Sequence, residues 1–193
     1  MAVALKTEGL TLTRYHIGMW VALASIVMLF TSLSSAYIVR SATINDWYPL
    51  PVPRIMFVST ALLLISSGTI EYARRRLKRS LQDSYGRFLL LTLLLGLTFL
   101  AAQLSAWRQL ARQGIYLASS PHSSFFYLLT GTHGVHLLGG LLMMGLLWLR
   151  SRRQVDTPAL LARRQAGADA VAIYWHFMDA LWIYLFLLLF LWR

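Results

Sequence analysis

Residues 171–192 read VAIYWHFMDALWIYLFLLLFLW, a run in which Asp179 is the only carboxylate and His176 the only other ionisable side chain besides tyrosine. A hydrocarbon core needs about 20 mainly apolar residues to be crossed by a helix, and this run is long enough. Working back along the chain, four more segments meet the same requirement, at about 17–39, 53–73, 88–110 and 124–149. A backbone in lipid must satisfy its own hydrogen bonds, so such segments are helices. None shows the ten-residue alternation of a membrane β-barrel strand. The expected fold is an all-α membrane protein, a bundle of five transmembrane helices forming a single domain over 1–193. The first run lacks an A-x-A-like exit and reads as a span, not a cleaved signal peptide.

The joints agree with this division. Asn45 to Pro53 is a proline-rich turn with interfacial aromatics, and Pro53 suits the first turn of the second helix. Arg74 to Arg79 closes that helix with a charge block. Gly114 to Pro121 links the third and fourth segments, and Arg150 to Asp169 the fourth and fifth.

Composition points the same way. The chain of 193 residues is 58% hydrophobic and 13% charged, where a soluble domain carries roughly 25% charged residues. It has no cysteine, which excludes disulfides, thiolate metal sites and cysteine nucleophiles. The net charge of +11 does not indicate a nucleic-acid partner, because the basic residues sit between apolar runs and not along one soluble face. They set topology instead. With the N-terminus in the cytoplasm and the C-terminus outside, thirteen of the 18 lysines and arginines fall inside and five outside, as the positive-inside rule requires.

Polar side chains within the spans are costly and need a partner or a purpose. In the fourth segment His133 and His136 are three residues apart, a spacing that suggests a shared helix face. Gly131, Gly134, Gly139 and Gly140 there suit close helix approach. In the fifth, His176 and Asp179 have the same spacing, and Trp175 lies beside them. Gln103 in the third segment suits an interhelical hydrogen bond, and Glu71 precedes Arg74 and Arg75 by helical spacings that suit a boundary salt bridge. Trp20, Trp107, Trp148, Trp175 and Trp192 read as an aromatic belt near helix ends. Two histidines on one face cannot bracket one haem. Three readings of the His/Asp constellation stay open: hydrogen-bonded packing, a proton-linked or lipid-head-group role, and ligation of a haem by His136 and His176 from two helices. No phosphate loop, nucleophile triad or zinc signature is present.

The residues around these histidines resemble subunit III of the haem–copper cytochrome c oxidases. Tyr174 to Trp182 looks like that family's final-helix signature, and Thr130 to His136 like its penultimate-helix histidine motif. Leu95 to Leu100 with Gln103 is similar to the preceding helix, and Ser66-Ser67-Gly68-Thr69 fits the one before that. Many members have seven helices; this chain resembles the last five, in a five-helix bacterial form. Many also carry a glutamate after a serine in the helix matching the first segment, where this chain has Ser25 followed by Ile26. A role tied to that carboxylate does not transfer.

The resemblance implies a non-redox subunit that supports the catalytic subunit in reducing oxygen to water, coupled to proton translocation in aerobic respiration. It implies oxidase subunits I and II and membrane phospholipids as partners, with haem and copper in those partner subunits and no cofactor or metal in this chain. Cytochrome c or quinol would be met only through the complex. The expected location is the bacterial cytoplasmic membrane. The competing readings are an accessory subunit of a quinol oxidase or nitric oxide reductase, and a small proton-linked transporter.

Overall fold

The computed structural model describes residues 2–43, 47, 53–153 and 157–191, with side chains from Ile17 onward. The turn expected over 45–53 lies outside this set except for Trp47 and Pro53, as do Trp192 and Arg193. Five helices account for nearly all of it: α1 Ala2–Thr43, α2 Ile55–Lys78, α3 Gln82–Arg112, α4 Pro121–Ser151 and α5 Pro158–Leu191. Each contains a stretch long and apolar enough to cross a membrane; in α1 it is Ile17–Thr43.

The helices overrun the apolar runs, most of all α1, which starts fifteen residues before the expected 17, and α5, which starts thirteen residues before the expected 171. Apolar length measures only the part immersed in hydrocarbon. The Ala-rich stretch from Pro158 to Ala170 is a good helix former and continues the helix where water can solvate its arginines. Pro53 does not enter the first turn of α2. It precedes the cap residue Arg54, and its carbonyl accepts from the Met56 N–H.

Local chemistry sets the ends. Ser120 caps α4 by accepting from the Ser123 N–H, Ser123 reciprocates, and Pro121 fills the first helical position. α2 and α3 both end with the paired bonds of a Schellman turn. After α2, Ser80 N–H reaches Leu77 and Leu81 N–H reaches Arg76, with Ser80 at φ 59°. After α3, Gly114 N–H reaches Ala111 and Ile115 N–H reaches Leu110, with Gly114 at φ 77°. Glycine adopts that left-handed conformation freely, whereas serine adopts it at a cost.

The short turns make neighbours antiparallel. α2, α3, α4 and α5 form a closed ring in which each touches the next and α5 returns to α2. α2 and α3 form the most intimate pair. α1 stands outside the ring and touches only α4 and α5. Pairings along the α2–α5 seam show the register: Thr60 with Trp182, Ser67 with His176, and Arg74 with Asp169.

Lipid tails are as apolar as leucine, so close packing and interhelical hydrogen bonds hold such helices together. The centre of this packing is Trp175. Its ring is fully buried, and its indole N–H donates to Ser66 Oγ at 3.0 Å. The ring's edge fills a socket at Gly96. A Cβ there would lie 2.7 Å from both Trp175 Cη2 and Leu141 Cδ2. Gly140 gives a second socket, where a Cβ would lie 2.9 Å from Tyr174 Cε1. Gly134 and Gly139, expected to be close-approach positions, have ordinary room instead. A Cβ would be 3.9 Å from Leu100 at the first and 4.0 Å from Tyr174 at the second.

Candidate functional site

Five hydroxyls on α2 face the neighbouring helices and take most of the polar contacts. Ser59 accepts from Gln103 Nε2 at 2.8 Å, and Thr60 accepts from Trp182 Nε1 at 3.0 Å. Ser66 accepts from Trp175, and Ser67 is bonded to His176 Nδ1 at 2.6 Å. Thr69 pairs with Thr92 Oγ1 at 2.8 Å. α2 is therefore a polar rail that ties α3 on one side to α5 on the other. Gln103 makes the interhelical bond its position suggested, although its Oε1 has no hydrogen-bond partner.

At the basic end of the rail, Glu71 binds Arg74 Nε at 2.9 Å and Arg75 Nε at 3.0 Å. The cluster continues across to α5, where Asp169 lies 3.4 Å from both Arg74 Nη1 and Lys78 Nζ. His176 Nε2 lies 4.0 Å from Glu71 Oε2. The boundary salt bridge is thus part of an ion cluster that joins two helices. Arg164 adds a further tie, donating to Gln82 Oε1 and to the carbonyls of Arg150 and Arg153 at the end of α4.

The His/Asp constellation is not one hydrogen-bonded network. His133 is fully buried between Phe99 and Trp182, with ring centroids 6.2 Å and 5.1 Å away, and neither nitrogen has a hydrogen-bond partner. His136 turns toward α1, with its ring edge-on to Phe30 at 5.8 Å, and Nδ1 bonds the Thr132 carbonyl on its own helix. A spacing of three residues leaves side chains about 60° apart around the axis. Between two neighbouring helices that angle is enough to send them to different partners. Asp179 is buried beside Ser67, but that hydroxyl is engaged with His176, and neither carboxyl oxygen has a hydrogen-bond partner. His136 contacts Phe30 of α1, whereas His176 bonds Ser67 of α2. Among the described residues no three His, Asp or Glu side chains are grouped so as to hold a metal ion.

Trp175 is an interior residue and not part of an interfacial belt; the early start of α5 places it mid-helix. Trp20 is exposed, and Trp107 is half-buried and donates to Thr130 Oγ1 at 3.2 Å.

Sequence reasoning missed the hydroxyl rail, noting Ser66, Ser67 and Thr69 only within a stretch of family resemblance, and it missed a cluster at the opposite end. His122, buried in the first turn of α4, stacks on Trp47 at 4.7 Å and bonds the Tyr37 hydroxyl through Nε2 at 3.2 Å. Those contacts anchor α1 and Trp47 to α4. The signal was present as a histidine directly after a Ser-Pro helix start.

A ring of four spanning helices with a fifth alongside, tied by hydroxyls and enclosing unpaired polar groups, defines a polytopic membrane protein. The family follows from comparison. The model of cytochrome c oxidase subunit III matches residues 7–193, and the chain belongs to that family. It is 33% identical over 202 residues to a probable cytochrome c oxidase subunit 3 from Nocardia farcinica, covering 96% of this chain and 97% of the relative. It is 32% identical over 179 residues to cytochrome c oxidase subunit 3 of Thermostichus vulcanus, covering 91% and 86%. It is also 27% identical over 173 residues to quinol oxidase subunit 3 of Bacillus subtilis, covering 88% and 83%.

Proposed function

We propose that this chain is the non-redox subunit III of a haem–copper terminal oxidase in a bacterial cytoplasmic membrane. The near full-length family match carries the reading. The chain packs against the catalytic subunit I, with subunit II in the same assembly, while oxygen is reduced to water and protons are translocated. Haem and copper belong to those partners, and membrane phospholipids cover the remaining apolar faces. The N-terminus lies in the cytoplasm and the C-terminus outside. The gathering of Arg74, Arg75, Lys78, Arg150 and Arg164 at one end of the ring supports that orientation. The quinol oxidase relative supports a second reading of the electron donor, with quinol in place of cytochrome c.

Within this role the polar interior is structural. Gln103, His176, Trp175 and Trp182 hold α3 and α5 to α2. His133 and Asp179 fill the ring's interior, and His136 borders α1. The test is oxygen consumption per haem in complexes carrying Asp179→Ala or His176→Ala. Complex yield is expected to fall while turnover per intact complex holds. Full yield with turnover abolished would make these residues part of proton chemistry and defeat the structural reading.

A further inference from the structure

At the basic end of the ring the four helices leave a cavity of about 10 Å³ between them. Its wall is mostly apolar, with Ile70 of α2, Leu89 of α3, Leu147 of α4 and Val171 of α5. Two polar side chains also line it, Arg74 from α2 and Tyr85 from α3. Each contributes a buried atom that lacks a hydrogen-bond partner. Tyr85 is 1% exposed, and its hydroxyl oxygen is unpaired. Arg74 directs Nη1 to Asp169 and Nη2 to Glu71, but its Nε, although 2.9 Å from Glu71 Oε2, makes no hydrogen bond. Buried polar groups are costly when left unpaired, and here two of them, from different helices, belong to residues that line one cavity.

The size and the chemistry of the space select its occupant. A buried water needs roughly 10–15 Å³ and at least two polar partners. The cavity meets the first requirement, and Tyr85 with Arg74 meets the second. A lipid head group is too large for it. Charge disfavours an anion, because Arg74 already holds the carboxylates of Glu71 and Asp169, and an anion beside it would meet both. A water carries no net charge. It accepts from Arg74 Nε–H and shares a hydrogen bond with the Tyr85 hydroxyl.

We propose that this cavity is a binding site for one water molecule, which joins Tyr85 of α3 to Arg74 of α2 and so ties α3 to the α2–α5 ion cluster. X-ray radiolysis of the native complex tests it. Radicals formed from a bound water oxidise the side chain beside it, whereas radicals from bulk solvent do not reach a ring that is 1% exposed. Trypsin releases Tyr85 on the peptide Ser80–Arg87, where it is the sole aromatic residue. Dose-dependent addition of oxygen at Tyr85 is expected in the folded complex. The second readout is Tyr85→Phe, which takes away the hydroxyl and nothing else. Loss of a water-held hydroxyl should lower the melting midpoint of the chain in native membranes by about 2–4 °C, the effect of about one hydrogen bond in a chain of this length. Loss of an unpaired hydroxyl should leave the midpoint unchanged or raise it. A Tyr85 peptide that is oxidised in the denatured chain but silent in the folded complex would overturn the proposal. So would a Tyr85→Phe midpoint at or above the parent's. A parent midpoint that rises with chloride at constant ionic strength, and no longer does so in Tyr85→Phe, would assign the site to an anion and overturn it as well.

Discussion

Adding one methyl group at Gly96 tests the packing at the centre of the ring. In Gly96→Ala the new Cβ would lie 2.7 Å from Leu141 Cδ2 and 2.7 Å from Trp175 Cη2, with Trp175 Cζ2 at 3.1 Å. Leu141 can change rotamer. Trp175 is a rigid ring, fully buried, and held by the 3.0 Å bond from its indole N–H to Ser66. Moving it away stretches that bond or pushes α5 from α3. Overpacking of this kind costs typically about 1–3 kcal/mol, and weakening the indole bond adds about 0.6 kcal/mol. The total is about 1.6–3.6 kcal/mol. For a chain of this length each 1 kcal/mol shifts the midpoint by about 2–4 °C, so the variant should melt roughly 3–14 °C lower. The assay is to heat native membranes, extract them in mild detergent and measure how much of the chain stays soluble. Gly134→Ala is the control, because its Cβ would sit 3.9 Å from the nearest atom and replaces glycine in a helix interior. It should melt at or slightly above the parent. Equal midpoints for both variants, or a larger loss in Gly134→Ala, would refute the socket assignment.

The same heating assay checks three further expectations. Ser80→Gly relieves a left-handed serine at the end of α2 and should stabilise by up to about 1 kcal/mol, while Gly114→Ala should destabilise by a similar amount. Arg74→Ala should cost more than Arg75→Ala. Arg74 joins α2 to α5 through Asp169, whereas Arg75 is 71% exposed and, among the described residues, pairs with Glu71 on its own helix, a pair worth about 0.5 kcal/mol or less. Asp179→Asn should melt within a few degrees of the parent and above Asp179→Ala, because the amide keeps the side chain's volume and no accepted hydrogen bond is lost.

The five spans were legible because apolar length is a direct requirement of the bilayer, and the Glu71–Arg74–Arg75 pairing because helical spacing alone brings those groups together. Contacts between helices were less so. Gly96 and Gly140 look no different in sequence from Gly134 and Gly139; only where Trp175 and Tyr174 cross decides which are filled. His133 and His136 share a spacing but not a neighbour, because about 60° of rotation separates the interior of the ring from the groove facing α1. The hydroxyls of Ser59 and Thr60 gave no signal, since serine and threonine in a span commonly bond their own preceding turn. Both also do so here, to the Met56 carbonyl. The Tyr37–His122 contact joins residues far apart in the chain, and nothing local announces it.

The subunit assignment is tested most directly by isolating the chain with an affinity tag from its native membrane in mild detergent. The account predicts co-purification of larger membrane subunits and a reduced-minus-oxidised haem spectrum that disappears when the tagged chain is separated from them. Recovery of the chain alone or as a homo-oligomer, without haem-bearing partners, would contradict it.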